Sequence, residues 1–247
     1  MKIDLVLSAG GKGRRDFHGK TVVVIDVLRA SSTIVTALTN GCFAVYPVAD
    51  PGAAAIFKRQ LGSDCLTGGE RRGLKIPGFD LGNSPLEYTA AVVGGQRIIL
   101  TTSNGTQALL EAQNAAEILI GSFLNAGYLS SYLAAKEEVV FFCAGTNGEP
   151  AMEDLLCAGL LTERLLNNGV EPAITDAARL GLVVYRHLLG NSEADPVTVL
   201  GQFQHSKYLA SIGFADDIAY CAQIDARPCL ARYQDGRISL VEEGKGP

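Results

Sequence analysis

Short, nearly uninterrupted apolar runs alternate along this chain with segments of helical period. Val- and Ile-rich runs fall at 3–7, 21–27, 43–48, 97–101, 117–120 and 138–143. Between them, residues 31–39, 51–61, 105–115 and 124–136 repeat apolar side chains every three or four positions. Strands that are apolar on both faces need cover on both sides. The alternation therefore predicts an α/β fold in three layers, α/β/α, around a largely parallel sheet. The C-terminal part is more helical, with candidate helices at 152–168, 172–190, 196–202 and 205–211 and a strand pair near 228–233 and 237–241. Residues 68–87 mix charges with Gly and Pro and read as a long ordered loop. The polar tail 242–247 reads as frayed. Without a Pro/Ser-rich linker, residues 1–247 form one unit, or two fused α/β halves of about 1–120 and 121–247.

In such sheets ligands collect beyond the carboxyl ends of the strands. Three of those ends share one style. The first runs from Thr21 through Asp26 and Arg29 to Ser31, Ser32 and Thr33. Asp26 is a divalent-cation ligand, a cap or an ion-pair partner, and Arg29 is an oxyanion clamp or its structural counterpart. The hydroxyls of Ser31, Ser32 and Thr33 fall where a helix start favours anions. The second junction holds Thr102, Asn104, Gly105 and Thr106, suited to an anion nest or an ordinary helix cap. The third runs from Cys143 through Thr146 and Asn147 to Glu153 and Asp154. Three junctions of one style in one sheet could converge on one pocket, and Glu70, Arg71, Arg72 and Asp80 in the 68–87 loop could border it. Magnesium takes few carboxylates plus water and substrate oxygens. Asp26, Glu70 and Asp154 are the favoured ligands, ahead of Asp80 and Glu153. None of His18, His187 and His205 has a partner visible in sequence, so all three read as structural or surface groups.

Other chemistries fit less well. Asp26 follows a strand as the nucleophile of haloacid-dehalogenase phosphatases does, but Leu28 and Ala30 stand where that motif needs a second Asp and a hydroxyl. Cys65 and Arg71 have the spacing of a cysteine-phosphatase loop, yet no His precedes the Cys and Arg72 replaces the hydroxyl. No glycine pattern supports nucleotide binding. A net charge of −5 with no basic cluster argues against nucleic acid. No apolar run reaches membrane-spanning length. Six cysteines without close pairing read as reduced core thiols, and a cytoplasmic protein is expected.

The same stretches carry a resemblance. VVVIDVLRASSTIVTAL, the GGER…GLKIPGFDLGNSPLEY loop, RIILTTSNGT, LIGSFLNA, CAGTNGEPAMEDLLCAG and the later Asp217-x-x-x-Cys221-x-x-x-Asp225 occur in the order found in the 2-phosphosulfolactate phosphatase family. The chain resembles that family over essentially its whole length, with Ser103 in place of an expected third Thr. The resemblance implies an α/β/α architecture peculiar to the family. It also implies a Mg2+-dependent acid phosphatase acting on 2-phospho-3-sulfolactate, a small anionic phosphate ester on the way to coenzyme M. In that frame Asp26, Glu70 and Asp154 hold the ion, with Asp26, Arg29 and Glu70 as catalytic groups. Arg29 and the 102–106 junction neutralise the phosphoryl charge, and Arg71 grips the acid end. Arg29, Arg71 and Arg72 suit sulfonate or carboxylate alike. Water is favoured over a side chain as the attacking group. Alternatives are a phosphatase for another 2-hydroxy acid, a non-catalytic organophosphate or sulfonate sensor, and an isomerase or lyase. Homo-oligomerisation is left open.

Overall fold

Each Val- or Ile-rich run becomes a strand in the computed structural model, which describes residues 1–11, 15–62, 64–168, 172–191 and 193–241. The tail 242–247 lies outside the described residues. The strands are β1 (Lys2–Val6), β2 (Thr21–Ile25), β3 (Ala44–Pro47), β4 (Cys65–Arg71), β5 (Leu74–Lys75), β6 (Arg97–Thr101), β7 (Glu117–Gly121), β8 (Glu138–Cys143), β9 (Ala173–Ile174), β10 (Ala231–Gln234) and β11 (Arg237–Leu240). The helices are α1 (Ala30–Thr39), α2 (Pro51–Leu61), α3 (Ala90–Val93), α4 (Gly105–Glu111), α5 (Ala126–Leu133), α6 (Met152–Asn167), α7 (Asp176–Leu188), α8 (Pro196–Gly201), α9 (Gln204–Ser211) and α10 (Ala215–Cys221). The helix expected from 172 begins four residues later, because β9 occupies its start and Thr175 caps it by accepting from the Ala178 N–H.

The strands form one eleven-stranded sheet in the order β5-β4-β6-β3-β11-β10-β7-β2-β8-β1-β9. Two parallel blocks, β4-β6-β3 and β7-β2-β8-β1-β9, are joined by the antiparallel hairpin of β10 and β11. Asp235 and Gly236 turn that hairpin with positive φ at both residues, the geometry that matches strand twist. β2 shows why the buried strands read as continuous apolar runs. Val23 and Ile25 join one core with α5 and α6, while Val22 and Val24 join the other with α1 and α4. Helices thus cover both faces of a mostly parallel mixed sheet.

The sheet is strongly curled. Laid flat, β6 and β2 would stand five strand spacings apart, ~24 Å. Yet Leu100 of β6 and Val24 of β2 line one small void together with Gly105 and Leu109 of α4. Curling brings the carboxyl ends of the two parallel blocks toward each other. The expected 68–87 loop is partly strand: β4 pairs in parallel with β6 from Cys65 to Gly69. Gly68 and Gly69 weaken a strand by propensity, but contact demands them here. A Cβ on Gly68 would collide with the Tyr88 hydroxyl, and one on Gly69 with the Thr101 carbonyl.

Candidate active site

The three junctions and the 70–83 segment do meet in one cavity of ≈ 610 Å³. Asp26, Leu28 and Arg29 come from the end of β2, and Ser103 and Asn104 from the end of β6. Thr146, Asn147 and Glu153 come from the end of β8 and the first turn of α6. Glu70, Arg72, Gly73 and Asn83 form another wall, and His205 and Tyr208 of α9 line the cavity as well.

Asp26 is 7 % exposed. Its Oδ1 accepts the Ala30 N–H at 3.1 Å, so it caps α1 as well as facing the cavity. Burial, helped by the nearby Glu70 and Glu153 carboxylates, pushes its pKa from 3.8 up to about 6, against the pull of the Ala30 hydrogen bond and His205. Gly105 allows α4 to start against it, since a Cβ there would lie 2.7 Å from both Asp26 Oδ2 and Ala30 Cβ.

Two other carboxylates act as staples. Glu70 accepts the Gly73 N–H at 2.8 Å on Oε2 and the Ser103 N–H at 2.7 Å on Oε1, binding the β4–β5 turn to the β6 junction. Asp154 accepts the Val27 N–H at 2.8 Å on Oδ1 and the Gly145 N–H at 3.1 Å on Oδ2, joining the first and third junctions. Glu70 borders the cavity, whereas Asp154 stands behind its wall. Burial and the neighbouring Asp26 and Glu153 raise the Asp154 pKa well above the usual carboxylate range. The α6 carboxylate that faces the cavity is Glu153, one residue earlier. Asp80 is spent elsewhere, on Lys58 Nζ at 2.8 Å and on the Thr67 N–H and hydroxyl, each at 2.8 Å.

Arg29 is a buried ion pair and a cavity wall at once. Its Nη1 donates to Asp217 Oδ2 at 2.7 Å, its Nη2 donates to the Gly73 carbonyl at 2.6 Å, and it lies over the Phe214 ring. Ser84 Oγ donates to the other oxygen of Asp217 at 2.6 Å. The hydroxyl run after it serves the backbone. Ser31 Oγ donates to the Val24 carbonyl and accepts the Asp26 N–H. Ser32 Oγ donates to the Val27 carbonyl and Thr33 Oγ1 to the Asn83 carbonyl. All three are buried, and none lines the large cavity. Thr102 and Thr106 cap one another through exchanged N–H to hydroxyl bonds of 3.0 and 3.1 Å, leaving Ser103 and Asn104 as the cavity-facing pair. Arg71 turns aside to the Glu70 carbonyl and Thr101 Oγ1, while Arg72 reaches the cavity.

His205, expected to be structural, is a cavity residue. Its Nδ1 lies 2.7 Å from Glu153 Oε1. Burial works against the imidazolium, but the Glu153 hydrogen bond and the charges of Glu153 and Asp26 outweigh it and raise its pKa. No local signal around Gln204-His205-Ser206 marks it, because its partner lies 52 positions away.

The cysteine-phosphatase spacing has no counterpart in space. Cys65 begins β4 and Arg71 ends it, so they stand ~20 Å apart along an extended strand. All six cysteines are free and buried. Among the described residues, no three His, Cys, Asp or Glu side chains form a ready-made metal cage. No helix among them is long and apolar enough to cross a membrane.

Known proteins similar to this chain share one family description. A family model described as 2-phosphosulpholactate phosphatase matches residues 11–236. A probable 2-phosphosulfolactate phosphatase of Clostridium acetobutylicum is 38% identical over 239 residues, covering 96% of this chain and 100% of that one. One from Clostridium perfringens strain SM101 is 38% identical over 248 residues, covering 99% and 98%. One from Caldicellulosiruptor saccharolyticus is 36% identical over 219 residues, covering 86% and 88%. With the matched region spanning every wall of the cavity, this chain belongs to the 2-phosphosulfolactate phosphatase family.

Proposed function

We propose that this chain is a Mg2+-dependent phosphatase that hydrolyses 2-phospho-3-sulfolactate to 3-sulfolactate and phosphate, a step toward coenzyme M. The observation that carries the reading is the gathering of Asp26, Glu70 and Glu153 with Arg29, Arg72 and His205 around one cavity in a chain of this family. The unpartnered carboxylate oxygens of Asp26 and Glu153 are hard donors of the kind a divalent cation takes. Asp26 and Glu153 would hold it: their Oδ2 and Oε2 accept no hydrogen bond from the described residues. When bound, the ion would neutralise charge on the phosphoryl oxygens in the transition state.

The chain's own groups supply the rest. Glu70 and Asp154 hold the three junctions in register, each through two backbone N–H groups. Arg29 adds fixed positive charge, kept in place by Asp217 and Gly73. Water adds to phosphorus as the ester P–O bond breaks, and the water's proton passes to a phosphoryl oxygen. With Nδ1–H donated to Glu153, the Nε2 of His205 is the proton donor for the departing alkoxide. A panel of phosphorylated 2-hydroxy acids, assayed for free phosphate with and without Mg2+, tests the reading. Phosphate release from 2-phospho-3-sulfolactate that EDTA abolishes is expected. Tight binding without turnover on the whole panel would sink it in favour of a sensor.

A further inference from the structure

A 2-phospho-3-sulfolactate molecule carries acid groups besides its phosphate, and the cavity has three arginines within one residue of its walls. Two of them are already committed. Arg29 spends Nη1 on Asp217 and Nη2 on the Gly73 carbonyl. Arg71 spends Nη1 on the Glu70 carbonyl and Nη2 on Thr101 Oγ1, outside the cavity. Arg72 is different. It is exposed at the cavity mouth, and its guanidinium has no hydrogen-bond or ion-pair partner among the described residues.

The backbone around Arg72 is nonetheless fixed. It takes a φ of 53°, and its carbonyl accepts the Tyr208 hydroxyl at 2.9 Å. The next residue, Gly73, is held at its N–H by Glu70 and at its carbonyl by Arg29. A rigid turn that leaves one long cationic side chain unpartnered is arranged to meet something from outside. A second observation points the same way. Asn83, buried and lining the same cavity, has an Oδ1 without a partner among the described residues, although its own carbonyl is held by Thr33. The unpaired Oδ1 is an acceptor, so a sulfonate or carboxylate oxygen cannot complete it. A water held with the ligand, or the 2-hydroxyl of the product, supplies the donor that it lacks.

We propose that Arg72 is the specificity residue for the acid end of the substrate, its guanidinium gripping a sulfonate or carboxylate oxygen pair at the cavity mouth while the phosphate lies among the buried carboxylates. The proposal rests on the phosphatase reading above. Planar bidentate contact suits a guanidinium better than an ammonium. Because the side chain is exposed, Arg72→Gln and Arg72→Lys leave the packing of the turn intact.

The test is calorimetric titration of the full chain, in Mg2+, with 3-sulfolactate and separately with inorganic phosphate. Arg72→Gln is expected to weaken 3-sulfolactate binding about 10- to 100-fold, the range for a lost charge-assisted hydrogen bond. Arg72→Lys recovers part of it. Inorganic phosphate binding moves by less than about threefold, as expected of a distant screened charge. With 2-phospho-3-sulfolactate as substrate, KM rises more than kcat falls. Equal weakening of both ligands, unchanged 3-sulfolactate binding in Arg72→Gln, or no 3-sulfolactate binding by the wild type would each overturn the proposal. Arg72-dependent binding of 3-sulfolactate with no phosphate release by the wild type would instead overturn the phosphatase reading and leave the subsite standing.

Discussion

Asp26→Asn is expected to give a protein that is inactive and more stable. Asp26 is buried, and its carboxyl pKa rises from 3.8 to about 6 because burial and two neighbouring carboxylates disfavour its charge. The folded state therefore holds this proton more tightly than the unfolded chain does. Stability from this group is full below about pH 4 and is lost as pH rises through about 6. The gap between 3.8 and about 6 corresponds to ~3 kcal/mol once the group is ionised in both states. An amide has nearly the same shape, keeps an oxygen for the Ala30 N–H, and carries no charge. Urea unfolding near pH 8 without divalent cation should show Asp26→Asn ahead by ~3 kcal/mol, which for a chain of this size raises Tm by roughly 6–12 °C. At about pH 4.5 the advantage should shrink to ~1 kcal/mol, since the wild-type carboxyl is then mostly protonated. Adding Mg2+ should stabilise the wild type more than the variant and close part of the gap. A variant no more stable than the wild type near pH 8, or one with the same advantage at both pH values, would refute the reasoning.

Other outcomes follow from neighbouring contacts. Asp217→Ala strands the buried Arg29 charge and the Ser84 hydroxyl, so denaturant melts should show a loss of ~3–5 kcal/mol, with Arg29→Met in the same chain restoring part of it. His205→Ala should lower kcat on the alkyl ester by about 10²- to 10⁴-fold, and much less on an aryl phosphate whose leaving group needs no proton; equal losses on both would remove the proton-donor role. Cys65→Ala should keep phosphate release within about twofold, because the thiol lies at the far end of β4, where it donates to the Gly62 carbonyl.

The strands and most helices were legible because buried parallel strands need Val and Ile on both faces, and that demand is local. β4 was hidden by Gly68 and Gly69, whose reason is the approach of Tyr88 and Thr101, residues remote in sequence. Which of two adjacent candidates lines the cavity was not legible. Arg71 and Arg72 are adjacent, yet Arg71 ends β4 and bonds to Thr101 outside the cavity while Arg72, the next residue, lines it. Glu153 and Asp154 are adjacent on α6, and helix rotation puts the first in the cavity and the second against two backbone N–H groups. The hydroxyls after Arg29 have the right types for an anion site, yet nothing local reveals that backbone carbonyls claim them. Arg29 and Asp217 are 188 positions apart, beyond any local pattern.

The hairpin of β10 and β11 has a bearing on how the chain is built. It sits at the seam between two parallel blocks, yet it comes from residues 231–240, after every cavity residue has already been specified. During synthesis the two blocks can each pair internally, but β3 and β7 stay as open edges until the hairpin arrives. Curling the sheet, and with it the meeting of Asp26 and Glu70, waits on that late insertion. Folding should accordingly be slow and dominated by distant pairings. A chain cut after Asp225 would hold all the chemistry of the cavity and lack the seam that brings its walls together.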